Sequence, residues 1–206
     1  MKIKRFPVGE YLSNTYVVYD ENTSKGFIVD AGFQSDLIDT FIQKNNINIS
    51  YVLITHGHFD HILACEYYRI KFNCEIIIGE VEGKQLIQLN NGLYDQVNKL
   101  ELFSFKFVNE GDVISVGNMK ISVISSPGHT SGGVCYLVDD NLFSGDTLFN
   151  MSIGRTDFYS GNFDEISKSI KKLYELPDET KIYPGHGFTT KIGYEKANNP
   201  FVRGEC

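Results

Sequence analysis

The stretch Thr55-His56-Gly57-His58-Phe59-Asp60-His61 holds three histidines and an aspartate in close succession. It follows the apolar run Tyr51-Val52-Leu53-Ile54, which predicts a buried strand, and Gly57 allows a sharp turn between two histidines. Imidazole and carboxylate groups together suit zinc, iron or manganese, and their crowding would be unfavourable without a positive ion among them. The alternative is a polar loop whose histidines face water, and we favour a metal site over it.

The chain has five histidines in all, and the two others lie in turns of similar composition. His129 stands in Pro127-Gly128-His129-Thr130, and His186 stands in Pro184-Gly185-His186-Gly187, each after an apolar run that predicts a strand. No histidine is left for an ordinary surface or core role. The simplest interpretation is that all five meet at one site, in loops at one edge of a rigid scaffold.

Composition limits the class of protein. A length of 206 residues with no linker or repeat predicts a single domain over 1–206. The net charge of -7 argues against a general binder of nucleic acid or of anionic membranes, so neither partner is expected. The start of the chain lacks the apolar segment of a signal peptide, and no apolar run approaches the roughly 20 residues that span a bilayer.

The four cysteines, Cys65, Cys74, Cys135 and Cys206, form no C-x-x-C pair. This spacing fits neither a disulfide framework nor a zinc–cysteine site. We therefore expect free thiols in a reducing compartment, with the cytoplasm as the location.

The hydrophobic pattern predicts many short strands and a few helices. Strands are expected over 2–8, 15–20, 27–29, 51–54, 74–79, 105–108, 113–116, 119–126, 133–138, 141–144 and 181–183, helices over 34–46, 60–71, 80–90, 163–176 and 190–198, and an irregular stretch over 91–104. This order favours an α+β fold, with two sheets and helices outside them, over a doubly wound parallel sheet. Asp60 would begin the second helix, where an aspartate can also serve only as a cap.

Four segments, in this order along the chain, closely resemble the metallo-β-lactamase fold superfamily. They are the stretch 55–61, Gly128-His129-Thr130, Ser144-Gly145-Asp146 and Gly185-His186-Gly187. In addition, Gly154-Arg155-Thr156-Asp157-Phe158 and Tyr183-Pro184-Gly185-His186-Gly187 resemble the short hydroxyacylglutathione hydrolase (glyoxalase II-like) branch. The resemblance implies a four-layer αββα sandwich with a metal site at one edge of the two sheets.

The resemblance also implies two divalent metal ions, with zinc expected first and iron or manganese as alternatives. The first ion would be held by His56, His58 and His129, the second by Asp60, His61 and His186, and both would be bridged by Asp146 and by a water or hydroxide. Taken alone, Asp146 would be interpreted as a turn residue. Asp30 resembles a position that supports the ligands, although Asp30-Ala31-Gly32 would also suit a plain turn.

The expected chemistry is hydrolysis of a small-molecule thioester such as S-lactoylglutathione. Metal-bound water has a pKa near neutral pH, compared with about 15.7 for free water. The resulting hydroxide would attack the carbonyl carbon, and a metal would stabilise the oxyanion that forms. Asp60, which would also orient the nucleophile, and Asp146 are the expected catalytic carboxylates. Arg155 would bind a substrate carboxylate through its planar fork, or would pair with Asp157. Tyr159 and Lys191 are further candidates for the mouth of the site.

Several alternatives stay open at this point. Gly154-Arg155-Thr156-Asp157-Phe158 also resembles persulfide dioxygenases of the same fold, which use one iron and consume oxygen. A metal-dependent lactonase or esterase, or a β-lactamase, would use the same metals with a different pocket, and the expected cytoplasmic location disfavours the β-lactamase. A nuclease is disfavoured by the acidic composition, and a scaffold without activity is disfavoured because no ligand is missing. The sequence leaves the oligomeric state open.

Overall fold

A computed structural model describes residues 1–89 and 105–204. The expected irregular stretch 91–104, the last residue of the helix expected over 80–90, and Cys206 lie outside the described residues. The strands are β1 (Lys2–Val8), β2 (Ser13–Tyr19), β3 (Lys25–Val29), β4 (Asn48–Ile54), β5 (Glu75–Gly79), β6 (Phe105–Val108), β7 (Val113–Val116), β8 (Met119–Ser125), β9 (Val134–Val138), β10 (Asn141–Gly145), β11 (Leu148–Phe149), β12 (Ser152–Ile153), β13 (Lys181–Pro184) and β14 (Thr190–Lys191). The helices are α1 (Asp36–Lys44), α2 (Phe59–Ile62), α3 (Cys65–Phe72), α4 (Glu80–Leu89), α5 (Phe163–Leu173) and α6 (Ile192–Asn198).

The strands form two mixed six-stranded sheets. The first has the order β1-β2-β3-β4-β5-β6, antiparallel from β1 to β3 and parallel from β3 to β6. The second has the order β14-β13-β10-β9-β8-β7, in which β10 and β13 are the parallel pair. Parallel neighbours end at the same edge of a sheet, so the loops after β3 and β4, and those after β10 and β13, come together in pairs.

Strand β4 shows why the strand before the histidines is apolar at every position. Val52 and Ile54 pack on the helix side of the first sheet, whereas Leu53 packs between the two sheets. All three side chains are buried. Successive side chains of a strand point to opposite faces, so a sheet covered on both faces needs a continuous apolar run.

Four layers are stacked around three apolar clusters. Ile38 of α1 and Tyr68 of α3 cover the outer face of the first sheet. Between the sheets lie large side chains such as Phe27 and Phe143. Ile166 of α5 packs with other apolar residues on the outer face of the second sheet. The expected αββα sandwich is confirmed, and within the described residues no helix is long and apolar enough to cross a membrane.

The helix expected over 60–71 is instead two helices, α2 and α3. The regular bond from the N–H of Ala64 to the carbonyl of Asp60 is replaced by two tertiary bonds. Ala64 donates to the carbonyl of Ala31 at 2.9 Å, and the Ser13 hydroxyl donates to the carbonyl of Asp60 at 2.6 Å. The prediction of one helix was wrong because these partners are remote in sequence, and β11, β12 and β14 were missed because two residues carry no periodicity.

Candidate metal centre

All seven expected metal ligands lie in loops or at the first turn of a short helix, along one edge of the sandwich. His56, His58, Asp60 and His61 follow β4, His129 lies between β8 and β9, Asp146 follows β10, and His186 follows β13. An isolated bridge between Ser13 and His186 joins the two sheets at this edge. The structure therefore brings together every residue that was predicted from the sequence to be a metal ligand.

The ligand atoms form two groups of three. In the first group, His56, His58 and His129 offer ring nitrogens that lie within 4.8 Å of one another. In the second group, the same limit holds for Asp60, His61 and His186, and His186 Nε2 lies 3.2 Å from Asp60 Oδ2. These are the two sets of three that the resemblance implied.

Asp146 lies between the two groups. Its Oδ2 is 3.5 Å from Nε2 of His129 in the first group and 3.6 Å from Nε2 of His186 in the second. Its Oδ1 is 3.6 Å from Nε2 of His61. Two ligands that are each about 2.1 Å from a tetrahedral ion lie about 3.4 Å apart, so these separations fit a carboxylate shared by two metal ions.

Two buried polar atoms of this cluster have no hydrogen-bond partner in the described part of the protein. They are Nε2 of His56 and Oδ1 of Asp146. Leaving a buried donor or acceptor unsatisfied costs about 1–3 kcal/mol. Because cations bound at this cluster would satisfy both atoms, the residues present fit a metal centre.

Hydrogen bonds outside the cluster determine which nitrogen of each ring faces inward. Nδ1 of His61 lies 3.0 Å from Oδ2 of Asp30, and Nδ1 of His129 lies 2.7 Å from the carbonyl oxygen of Arg155. Because Nδ1–H of each ring donates to its acceptor, the neutral form of each ring has its unprotonated nitrogen at Nε2, where it is available to a metal.

Asp30 also lies within reach of His56 and His61, in a third group of potential ligands. Its carboxylate is already occupied, because it accepts bonds from the N–H and the hydroxyl of Thr55, each at 2.8 Å, in addition to that from His61. We therefore interpret Asp30 as the support of a ligand, in the position that the resemblance indicated.

The charges of the metal-free site divide its histidines into two kinds. Burial lowers the pKa of His58 to about 4 and holds the pKa of His56 well below its usual range. Burial also opposes the charged form of His61, but the carboxylates of Asp146, Asp30 and Asp60 raise its pKa to about 9. Without metal, His56 and His58 are thus neutral near pH 7, and His61 carries a positive charge that partly replaces an ion.

Glu82 is a residue at the site that sequence reasoning missed. It lies in α4 with 4% of its surface exposed, and its Oε1 accepts the N–H of Gly57 at 2.7 Å. Its Oε2 accepts the hydroxyl of Thr130 at 2.8 Å and the N–H of Gly132 at 3.1 Å. Glu82 therefore joins the loop of His56 and His58 to the loop of His129. One acidic residue in the first turn of a predicted helix gives no signal of this role.

The residues nominated for the mouth of the site have different surroundings. Tyr159 lines a cavity of about 290 Å³ that begins at His58. Arg155 makes two hydrogen bonds of 2.7 Å to Asp157, which is the ion pair considered as its alternative, and its contact with a substrate stays a prediction. Lys191 pairs with Glu179 at 2.7 Å and is not among the described residues that line this cavity.

Residues 8–186 match the Metallo-beta-lactamase superfamily, and the chain belongs to that superfamily. Its members are generally metal-dependent hydrolases with binuclear metal sites. The family thus agrees with a site built from two groups of ligands and one shared carboxylate.

Three individual proteins illustrate the similarity. The hydroxyacylglutathione hydrolase GloC of Haemophilus influenzae is 31% identical over 212 residues, which cover 98% of this chain and 98% of that protein. The crystal structure of the BLEG-1 B3 metallo-beta-lactamase is 31% identical with a TM-score of 0.88, covering 98% of this chain and 100% of that one. The structure of TTHA1623 in a di-iron-bound form is 26% identical with a TM-score of 0.83, covering 97% and 100%.

Proposed function

We propose that this protein is a binuclear metal-dependent hydrolase that cleaves a thioester such as S-lactoylglutathione, in the manner of the glyoxalase II-like branch. The observation that carries the proposal is the position of Asp146 between two complete groups of ligands. The thioester is supported by the similarity to the hydroxyacylglutathione hydrolase of Haemophilus influenzae. Zinc is the first expectation for both sites, and the similarity to a di-iron-bound structure supports iron as the main alternative.

The two metal ions, when bound, would lower the pKa of water towards neutrality and polarise the carbonyl of the substrate. The residues of the chain prepare the site for this chemistry. Asp146 would help to hold both ions and would supply one negative charge to them, and Asp30 and the Arg155 carbonyl favour the tautomer of His61 and His129 that a metal needs. Asp60 would orient the attacking water, take its proton and pass that proton to the departing thiol as the C–O bond forms and the C–S bond breaks.

A cysteine nucleophile finds no support among the described residues. Cys65, Cys74 and Cys135 are buried free thiols, and burial raises the pKa of both Cys74 and Cys135 to about 11. Such thiols are not ionised at neutral pH and are poor nucleophiles. Their free state also supports the cytoplasm, a reducing compartment, as the proposed location.

The alternative activity is that of an iron-dependent persulfide dioxygenase, which needs one iron. The complete second group, Asp60, His61 and His186, supports the hydrolase instead. A lactonase or esterase would use the same metal centre, so only the substrate distinguishes it.

One experiment separates these activities. Protein reconstituted with zinc or with iron is given S-lactoylglutathione in a cell that contains an oxygen electrode, and its metal content is measured in parallel. We expect up to two metal ions per chain and loss of the thioester without uptake of oxygen. Oxygen uptake by the iron form with glutathione persulfide, and no thioester loss, would instead support the dioxygenase. Full activity in folded protein without metal would contradict the proposal.

A further inference from the structure

A cavity lies beside His58, next to the candidate metal centre. It has a volume of about 290 Å³ and shares His58 with the first group of ligands. The ring of Phe158 approaches the ring of His58 edge to face, with 5.7 Å between the ring centroids. A group bound in the cavity would therefore lie directly against the metal centre.

The side chains that give the cavity its character are apolar. Phe59, Leu86, Phe158 and Tyr159 line it from three separate parts of the chain. Of these, Phe158 is 47% exposed and Tyr159 is 78% exposed, so large aromatic surfaces remain in contact with water. Apolar surface left open beside a reactive centre favours the binding of an apolar group, because binding removes that surface from water.

Two polar side chains of the lining, Glu82 and Gln85, already make hydrogen bonds within the protein. The carboxylate of Glu82 accepts bonds from Gly57, Thr130 and Gly132, and the amide of Gln85 donates to the Ser131 hydroxyl at 2.5 Å. These side chains therefore have little capacity to bind a strongly polar ligand.

No lysine or arginine is among the described residues that line the cavity. The guanidinium of Arg155 lies 3.7 Å from the ring centroid of Phe158, but both of its hydrogen bonds go to Asp157. A carboxylate placed in the cavity would find no cationic side chain in the described lining, the neighbouring Arg155 is already paired with Asp157, and the buried Glu82 would repel the carboxylate. The carboxylates of glutathione are thus poorly suited to this side of the site.

We propose that this cavity binds an uncharged, apolar group of the thioester substrate, and that Phe158 and Leu86 determine the specificity for that group. The inference rests on the proposed thioesterase function. The group belongs to the acyl part or to the thiol part, since both flank the scissile carbonyl. In either case the best substrate is a thioester more apolar than S-lactoylglutathione.

Four thioesters test this inference. They combine either a lactoyl or a 3-phenylpropionyl group with either glutathione or benzyl mercaptan. We expect at least one thioester with an aromatic group to exceed S-lactoylglutathione in kcat/KM by about tenfold or more, because burial of a few apolar carbons is worth that factor. Of the two thioesters that carry one aromatic group, the one with the larger increase in kcat/KM identifies whether the acyl part or the thiol part enters the cavity.

Variants of the lining residues test whether the higher kcat/KM of the aromatic thioester depends on the cavity. In Phe158→Ala and Leu86→Ala the higher kcat/KM of the aromatic thioester should be lost through a higher KM, while the metal content stays close to wild type. Phe201→Ala is the matched control, since Phe201 is 54% exposed and lies outside the described lining. The inference is overturned if S-lactoylglutathione is the best of the four, or if the gain survives in both cavity variants.

Binding without turnover separates this inference from the proposed function. Ketone isosteres of the two thioesters that carry one aromatic group, with a methylene in place of sulfur, cannot be hydrolysed. If no thioester is cleaved, the proposed function fails, and these isosteres are then titrated calorimetrically. Binding that weakens about tenfold in Phe158→Ala, but not in Phe201→Ala, supports the cavity assignment. Equal binding to wild type and Phe158→Ala, or no binding, overturns it.

Discussion

Asp30 accepts a hydrogen bond from His61, with 3.0 Å between Oδ2 and Nδ1, although 31 positions separate the two residues. Both side chains are buried. The same carboxylate accepts two bonds from Thr55, the residue before His56. Asp30 thus orients His61 of the second group and anchors the loop that carries His56 and His58 of the first, so its carboxylate connects the two groups.

Replacing Asp30 with alanine should weaken metal binding. Loss of a partner that orients a metal-binding histidine reduces affinity about 10–100-fold, and the Thr55 donors would lose their acceptor as well. The affinity of Asp30→Ala can be measured by competition with a chelator. Asp20→Ala is the matched control, because Asp20 is also buried at the end of a strand and hydrogen-bonded to Asn22 and Thr23. Equal affinities in Asp30→Ala and wild type would refute the supporting role.

Asp146→Asn should lose metal and turnover together. The amide keeps the shape of the side chain but removes the negative charge that lies between the two groups, and we expect at least about a tenfold lower affinity for the second ion. Metal per chain and thioester turnover are the measurements. Asp139→Asn serves as the control, because Asp139 is exposed and its φ of 50° suits asparagine. Wild-type metal content and activity in Asp146→Asn would contradict a bridging carboxylate.

Glu82→Gln should destabilise the ligand loops. Both oxygens of Glu82 accept hydrogen bonds, whereas a glutamine would turn its NH₂ group towards donors on one side. The expected cost is about 1–3 kcal/mol in the free energy of unfolding of the metal-free protein. Urea unfolding with and without metal measures it, and metal retention should fall in parallel. Glu80→Gln, in the same helix but paired with the exposed Lys84, should change neither quantity. An unaltered unfolding curve for Glu82→Gln would show that the three bonds contribute nothing.

In the metal-free protein, His61 and His58 should titrate at pH values far from the usual 6.5 of histidine. The pKa of His61 is raised from 6.5 to about 9, so this residue stabilises the folded state below pH 6.5 and its contribution is lost as pH rises through 9. The pKa of His58 is lowered from 6.5 to about 4, so this residue costs stability at low pH, and the cost disappears as pH rises from 4 to 6.5. NMR titration of the ring nitrogens should find His58 neutral at pH 6 and His61 protonated at pH 8. Ordinary titration of both rings near 6.5 would contradict this division.

Much of the architecture was predictable because its causes are local. The all-apolar run Val52-Leu53-Ile54 follows from a strand that is covered on both faces. The placement of all five histidines after such runs, in turns rich in glycine, was enough to predict that they meet. Arg155 marks the limit of this reasoning. Its side chain could serve a substrate or Asp157, and the described contacts are those with Asp157.

The sequence by itself determined the types of the candidate ligand side chains and their positions after strands, because side-chain chemistry and hydrophobic periodicity are properties of neighbouring residues. The tertiary structure alone decided which groups hold those ligands in place. Asp30 reaches His61, Glu82 joins two loops, and Ser13 and Ala31 divide one predicted helix into two. Each of these contacts joins residues that are remote along the chain, and a hydrogen bond depends on distance in space, which no local pattern encodes.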